Sequence, residues 1–187
     1  MHIAFGIYEG KEINDPLKGG VFSPRALTIK EEIFTIIDTR VREATVLDIN
    51  DLNGIYGIEA LSRGAAVCRF VNPNINEINL INENLRIIGL DPRSLVVNDS
   101  YSQFLKSPIV GEYLSEKYDV IFFQPKFPDD FKDIKLLLSK QKPSGVTVIT
   151  YPHNKKFKLP EDIDGLQVVE AREFDDRKVA VLLKINV

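Results

Sequence analysis

Cysteine is nearly absent. Cys68 is the single one in 187 residues, so no internal disulfide framework holds the chain, and this usage fits a reducing compartment. Histidine is almost as scarce. His2 and His153 lie far apart, no Cys/His cluster has metal-ligand spacing, and no Ser-His-Asp set is suggested. Long apolar runs are missing: none approaches the roughly 20 residues that span a bilayer. The opening MHIAFGIYEGKEI lacks the basic, apolar, small-residue order of a signal peptide. A cytoplasmic location with no membrane partner is the expectation. An excess of positive charge is missing too. With 24 Lys and Arg against 27 Asp and Glu the formal net charge is −3, so the chain as a whole is not drawn to nucleic acid or acidic lipid.

What is present is an ordinary globular composition, 44% hydrophobic and 27% charged, in a length that suits one domain with a proper core. Residues 3–7 and 11–13 around Glu9-Gly10 read as a small hairpin, 15–23 as a Pro/Gly loop, and 26–37 as an amphipathic helix. From residue 45 strands and helices alternate. Strands are expected at 45–48, 67–71, 95–98, 118–123 and 146–150. Helices are expected at 55–63, 76–88 and 131–138, with shorter helical pieces at 103–105 and 112–116. Residues 167–174 and 178–185, joined at Asp175-Asp176, read instead as an antiparallel hairpin.

The densest signal is VLDINDLNGIYGIEALSRGA, residues 46–65. A strand ends at Asp48, a loop carries Gly54 and Gly57, and a helix follows. Glycines let a backbone approach a ligand, and a helix start presents free N–H groups, so the unit can cradle a nucleotide. The alternative is a helix-starting turn without a ligand, because Asp51, Leu52 and Asn53 fill the tight part of the loop. After the next strand stands Asn72 rather than an acid able to accept both ribose hydroxyls. That argues against a dinucleotide dehydrogenase and leaves two options: one ribose contact, or a strand-ending turn at Asn72-Pro73-Asn74. Cys68, Phe122 and Phe123 read as core.

Several segments in order resemble one family. HIAFGIYEGKEI, SPRALTIKEEIFTII, GIEALSRGA, NENLRIIGL, NDS and YDVIFFQPKF are similar to the bacterial 16S ribosomal RNA (guanine-N2) methyltransferases of the D type, over nearly the whole chain. The resemblance implies an α/β, class I methyltransferase (Rossmann-like) fold. Its sheet is seven-stranded and mainly parallel with an antiparallel last strand. A hairpin-helix extension (1–43) precedes the core (44–187). It implies S-adenosylmethionine as cofactor, with Asp48, Gly54, Gly57, Asn72 and Asp99 at the cofactor. Asp99 would accept from the adenine amine, or else cap a helix. It implies that Gln124 and the Pro125 carbonyl accept from a target amine while Phe127 stacks on the base. The partner would be ribosomal RNA or a small-subunit particle.

The chain departs from that pattern at Leu52, Asn72, Gln124 and Lys126. Gln124 keeps an acceptor but is one methylene longer, and misplacement of that order can cost about 100-fold in rate. Lys126 replaces a proline and brings a cation near a sulfonium. Eight lysines between 126 and 158 outnumber Asp129, Asp130 and Asp133 and border this loop, either as phosphate contacts or as a solvated face. The first 43 residues are not basic. Two functions follow: a methyltransferase of this type, weakened by its substitutions, or a binding or scaffold module on the same fold without turnover.

Overall fold

The computed structural model of the chain describes residues 1–15, 24–91, 96–106, 117–160, 166–174 and 176–184. The apolar segments form β1 (Thr45–Ile49), β2 (Val67–Val71), β3 (Val96–Val97), β4 (Tyr118–Phe123), β5 (Gln141–Pro152), β6 (Leu166–Glu173) and β7 (Arg177–Lys184). They build a seven-stranded sheet in the order β3-β2-β1-β4-β5-β7-β6. The pairs β1/β2, β1/β4, β2/β3 and β4/β5 are parallel, whereas β7 is antiparallel to both β5 and β6. Among the described strands only β7, the last, runs against the rest of the sheet, as the resemblance implies.

Alternation along the strands divides the core between the two faces of the sheet. Val46, Phe70, Phe122 and Val148 pack with Phe34 of α1 (Pro24–Ile37), Ile58 of α2 (Ile55–Ser62) and Ile81 of α3 (Ile75–Ile87). Leu47, Ile49, Phe123 and Ile149 pack with Phe104 of α4 (Tyr101–Lys106) and Leu137 of α5 (Ile134–Ser139). The Phe122 ring lies 5.6 Å from that of Phe34 and 5.5 Å from that of Tyr56 between centroids. Among the described residues no helix is long and apolar enough to cross a membrane.

The N-terminal hairpin closes through a single antiparallel bridge, His2 with Glu12, and is pinned onto α2 rather than extended. Ile7 N–H donates to the Ser62 carbonyl at 2.9 Å, and the Ser62 hydroxyl donates to the Phe5 carbonyl at 2.5 Å. Beneath it Lys30, 1% exposed, donates from Nζ to Glu59 Oε2 at 2.8 Å and to the His2 carbonyl at 3.1 Å. Arg63 Nε donates to Glu59 Oε1 at 2.9 Å, and Ala4 N–H to Oε2 at 2.9 Å.

Two boundaries differ from expectation for identifiable reasons. β5 starts at Gln141, not 146. The polar QKPSG stretch lies outside the strand expected at 146–150, but buried Gln141 ties it into the sheet. Its Nε2 donates to the Gly145 carbonyl at 2.7 Å, and its Oε1 accepts from Thr147 Oγ1 at 2.6 Å. The helix expected at 131–138 is split into a 3₁₀ segment, Pro128–Asp133, followed by α5. The loop at 16–23, the helical piece at 112–116 and Asp175 lie outside the described residues.

Candidate functional site

The strand order reverses direction between β1 and β4, and a crevice opens there beyond the C-terminal ends of the strands. Ile49 and Phe123 are register partners, and Gln124 N–H donates to the Ile49 carbonyl at 3.1 Å, which seats the 124–127 loop directly beside the 50–54 loop. The 50–54 loop turns through two left-handed residues, Asn50 (φ 62) and Gly54 (φ 76). Leu52 needs no left-handed backbone there, and its side chain is partly exposed. At Gly57 the reason for glycine is closeness: a Cβ would lie 2.4 Å from Phe70 Cε1 and 2.6 Å from Cys68 Sγ, so α2 rests on β2 with no room between.

Two N–H groups in the first turn of α2 are taken by side chains of the chain itself. Tyr56 N–H donates to Asp51 Oδ2 at 3.1 Å and Gly57 N–H to Asp48 Oδ2 at 2.8 Å. Both carboxyls are buried. Burial first, then the neighbouring Asp51 charge, pushes the Asp48 carboxyl well above the ordinary range, against the Gly57 N–H. Burial also raises Asp51, partly offset by the Tyr56 N–H. Asp48 Oδ1, Asn50 Oδ1 and Gln124 Nε2 are buried without hydrogen-bond partners. Buried polar atoms of this kind call for an explanation, and a bound ligand supplies one.

Asn72, fully buried, spends its amide inside the protein. Its Nδ2 donates to the Asp51 carbonyl at 2.9 Å and to Glu77 Oε2 at 2.6 Å, and its Oδ1 accepts from Asn74 N–H at 2.9 Å. Asn74 in turn caps α3, its Oδ1 accepting from Asn76 N–H at 3.0 Å. Asp99 is half-buried, and its Oδ1 accepts from Ser100 N–H at 2.7 Å. The cap of α4 is Ser100 instead. Its hydroxyl accepts from Gln103 N–H at 3.2 Å and donates to Gln103 Oε1 at 2.8 Å. Asp99 thus sits immediately before the helix cap.

Pro125 is buried, while Phe127 is 67% exposed. One carboxylate oxygen, Asp130 Oδ2, accepts from Lys126 N–H at 2.7 Å and from Phe127 N–H at 3.0 Å, and Tyr101 Oη donates to the Asp130 carbonyl. Lys126 Nζ reaches across to Glu77 Oε2. Asn50, Pro73, Ser100, Tyr101, Lys126 and Phe127 line a cleft of about 220 Å³. Among the described residues no group of three or more His, Cys, Asp and Glu could hold a metal ion.

All eight residues singled out in the sequence, Asp48, Gly54, Gly57, Asn72, Asp99, Gln124, Pro125 and Phe127, therefore gather around one edge of the sheet. Sequence reasoning missed Asn50, Asp51, Glu77, Ser100 and Asp130. The spacing Ser100-x-x-Gln103 is a legible cap signal. Asp51, Glu77 and Asp130 act through contacts that no spacing displays.

The family model described as conserved hypothetical protein 95 matches residues 1–183. The chain belongs to that family. It is 25% identical to "Putative rRNA methyltransferase YlbH" of Bacillus subtilis over 98% of this chain and 99% of that protein. It is also 25% identical to "Ribosomal RNA small subunit methyltransferase D" of Haemophilus influenzae, over 87% of this chain and 84% of that protein. The solved structure of "Putative methyltransferase yhhF" from Escherichia coli superposes with a TM-score of 0.81 at 18% identity, covering 99% of this chain and 98% of that one. The likeness to the D type read from the sequence is thus met, and the fold of this family member is that of the class I methyltransferases.

Proposed function

We propose that the chain is an S-adenosylmethionine-dependent methyltransferase acting on ribosomal RNA, at an exocyclic base amine of the guanine-N2 kind. The observation that carries this reading is the set of unpartnered buried atoms, Asp48 Oδ1, Asn50 Oδ1 and Gln124 Nε2, at the β1/β4 switch point. The names of the two curated relatives support the substrate class. We take residues 1–43 and 44–187 as extension and core of one unit, joined through Lys30 and Glu59.

The donor set fits the cofactor. Asp48 and the turn through Gly54 and Gly57 would hold its amino-acid half, Asn72 would lie at the ribose end, and Asp99 would accept from the adenine amine. When bound, S-adenosylmethionine supplies an electrophilic methyl group on a sulfonium. The chain's own work is positioning. Gln124 Oε1 and the Pro125 carbonyl accept from the target NH₂ and fix its orientation, and the exposed Phe127 ring stacks on the extruded base. A neutral exocyclic amine needs no side chain to take a proton before it reacts. Lys155, Lys156 and Lys158, exposed beyond the end of β5 on the same edge of the sheet, are placed to meet RNA phosphates.

A second reading, a binding module without turnover, is favoured by the Lys126–Glu77 contact and the longer Gln124 side chain. Radiolabel transfer to small-subunit particles separates the two. We expect label in N2-methylguanosine, lowered about 100-fold by Gln124→Ala and strongly by Phe127→Ala. Cofactor binding without any transfer would establish the second reading.

A further inference from the structure

We propose that Glu77 is the acceptor for the cofactor's ribose hydroxyls, in place of the acid missing at position 72, and that Lys126 competes for the same carboxylate. This rests on the cofactor reading above. A vicinal diol is held best by two acceptor oxygens on one carboxylate, which an asparagine amide cannot offer. Glu77, in the first turn of α3, brings such a carboxylate to the end of β2. Asn72 Nδ2 donates to its Oε2 at 2.6 Å and Asn74 Nδ2 to its Oε1 at 3.1 Å. The two asparagines at the end of β2 thus act as donors that aim a third residue's carboxylate. Each Glu77 oxygen keeps a lone pair beyond those bonds.

Lys126 supplies the other half of the inference. Its side chain lines the cleft, and its Nζ pairs with Glu77 Oε2; the two side chains are 25% and 15% exposed. Two backbone N–H groups held by Asp130 fix the Lys126 backbone in place, so the ammonium is presented to Glu77 rather than left to solvent. A ribose that takes Glu77 must displace this ammonium, and Lys126 is then released at the mouth of the target loop. The affinity lost to this competition is small, because a partly exposed pair is weak. Glu77 and Lys126 are therefore expected to act on affinity with opposite signs.

The test is calorimetric titration of the intact chain with S-adenosylhomocysteine and with its 2′,3′-dideoxy analogue, for wild type, Glu77→Gln and Lys126→Met. Thermal melting of each variant checks that it is folded. Glu77→Gln should weaken S-adenosylhomocysteine about 10-fold or more, the loss expected for a hydrogen bond to a charged acceptor, and leave the dideoxy analogue unchanged. Lys126→Met should tighten S-adenosylhomocysteine about 2- to 5-fold. Equal weakening of both ligands by Glu77→Gln, no weakening of either, or weaker binding by Lys126→Met overturns the assignment while leaving the cofactor reading intact. No binding of S-adenosylhomocysteine to wild type or any variant overturns the cofactor reading, and this assignment with it.

Discussion

Helix α2 has buried acids at both ends, and they are solved differently. Near its C-terminal end Glu59, fully buried, meets two cations, Lys30 and Arg63, and the Ala4 N–H. Its charge is balanced, and it ties the N-terminal hairpin, α1 and α2 together. Beyond its N-terminal end Asp48 and Asp51 meet backbone N–H groups and no cation, burial raises both carboxyls above the ordinary range, and Asp48 Oδ1 is left without a donor. The contrast teaches that burial of a charge does not mark a functional site. An unbalanced buried charge beside other unpartnered polar atoms does.

The largest effect should come from breaking the balanced end. Glu59→Ala leaves Lys30 as an uncompensated buried cation and should cost about 3–5 kcal/mol, read from urea unfolding. Next is Gly57→Ala, which sits between the two ends. Its methyl would meet the Phe70 ring and the Cys68 sulfur, and overpacking of this kind costs about 1–3 kcal/mol.

Asp48→Asn should go the other way. Both carboxyls have folded pKa values raised above the ordinary aspartate value of 3.8, so the folded state retains protons that the unfolded chain releases. The stability this contributes is complete below that value and is lost as pH rises through the raised values. An asparagine mimics the protonated form of Asp48 and removes the loss. The variant should match wild type near pH 4 and be the more stable of the two near pH 8. A variant less stable than wild type at both pH values would erase the contrast between the two ends. Smallest in stability is Asp130→Ala, which frees the Lys126 and Phe127 N–H groups. It should cost about 1 kcal/mol or less, while methyl transfer falls more steeply because the loop is no longer held.

The sheet was legible because its strands are near-continuous apolar runs with glycine and asparagine punctuation. Residues 67–71 and 118–123 appear at the expected bounds. Gln141 was not legible as a strand residue, since its place depends on the Gly145 carbonyl and the Thr147 hydroxyl. At the site the positions were legible and the partners were not. Asn72 reads as a lost acid, but only the fold shows its amide turned toward Glu77. Asp51 reads as an intrusion in a glycine loop, yet its Oδ2 takes the Tyr56 N–H of α2. Lys30 lies in the helix expected at 26–37, but its partner Glu59, 29 residues away, is shown only by the fold.

If the N-terminal end of α2 is built for a ligand and its C-terminal end for stability, amide hydrogen exchange with and without saturating S-adenosylhomocysteine should tell the two apart. Exchange should slow in peptides covering residues 50–56 and 124–127, with residues 59–63 unchanged. Unchanged exchange at 50–56 and 124–127 under saturating ligand, or slowing confined to 59–63, would contradict this division of the helix.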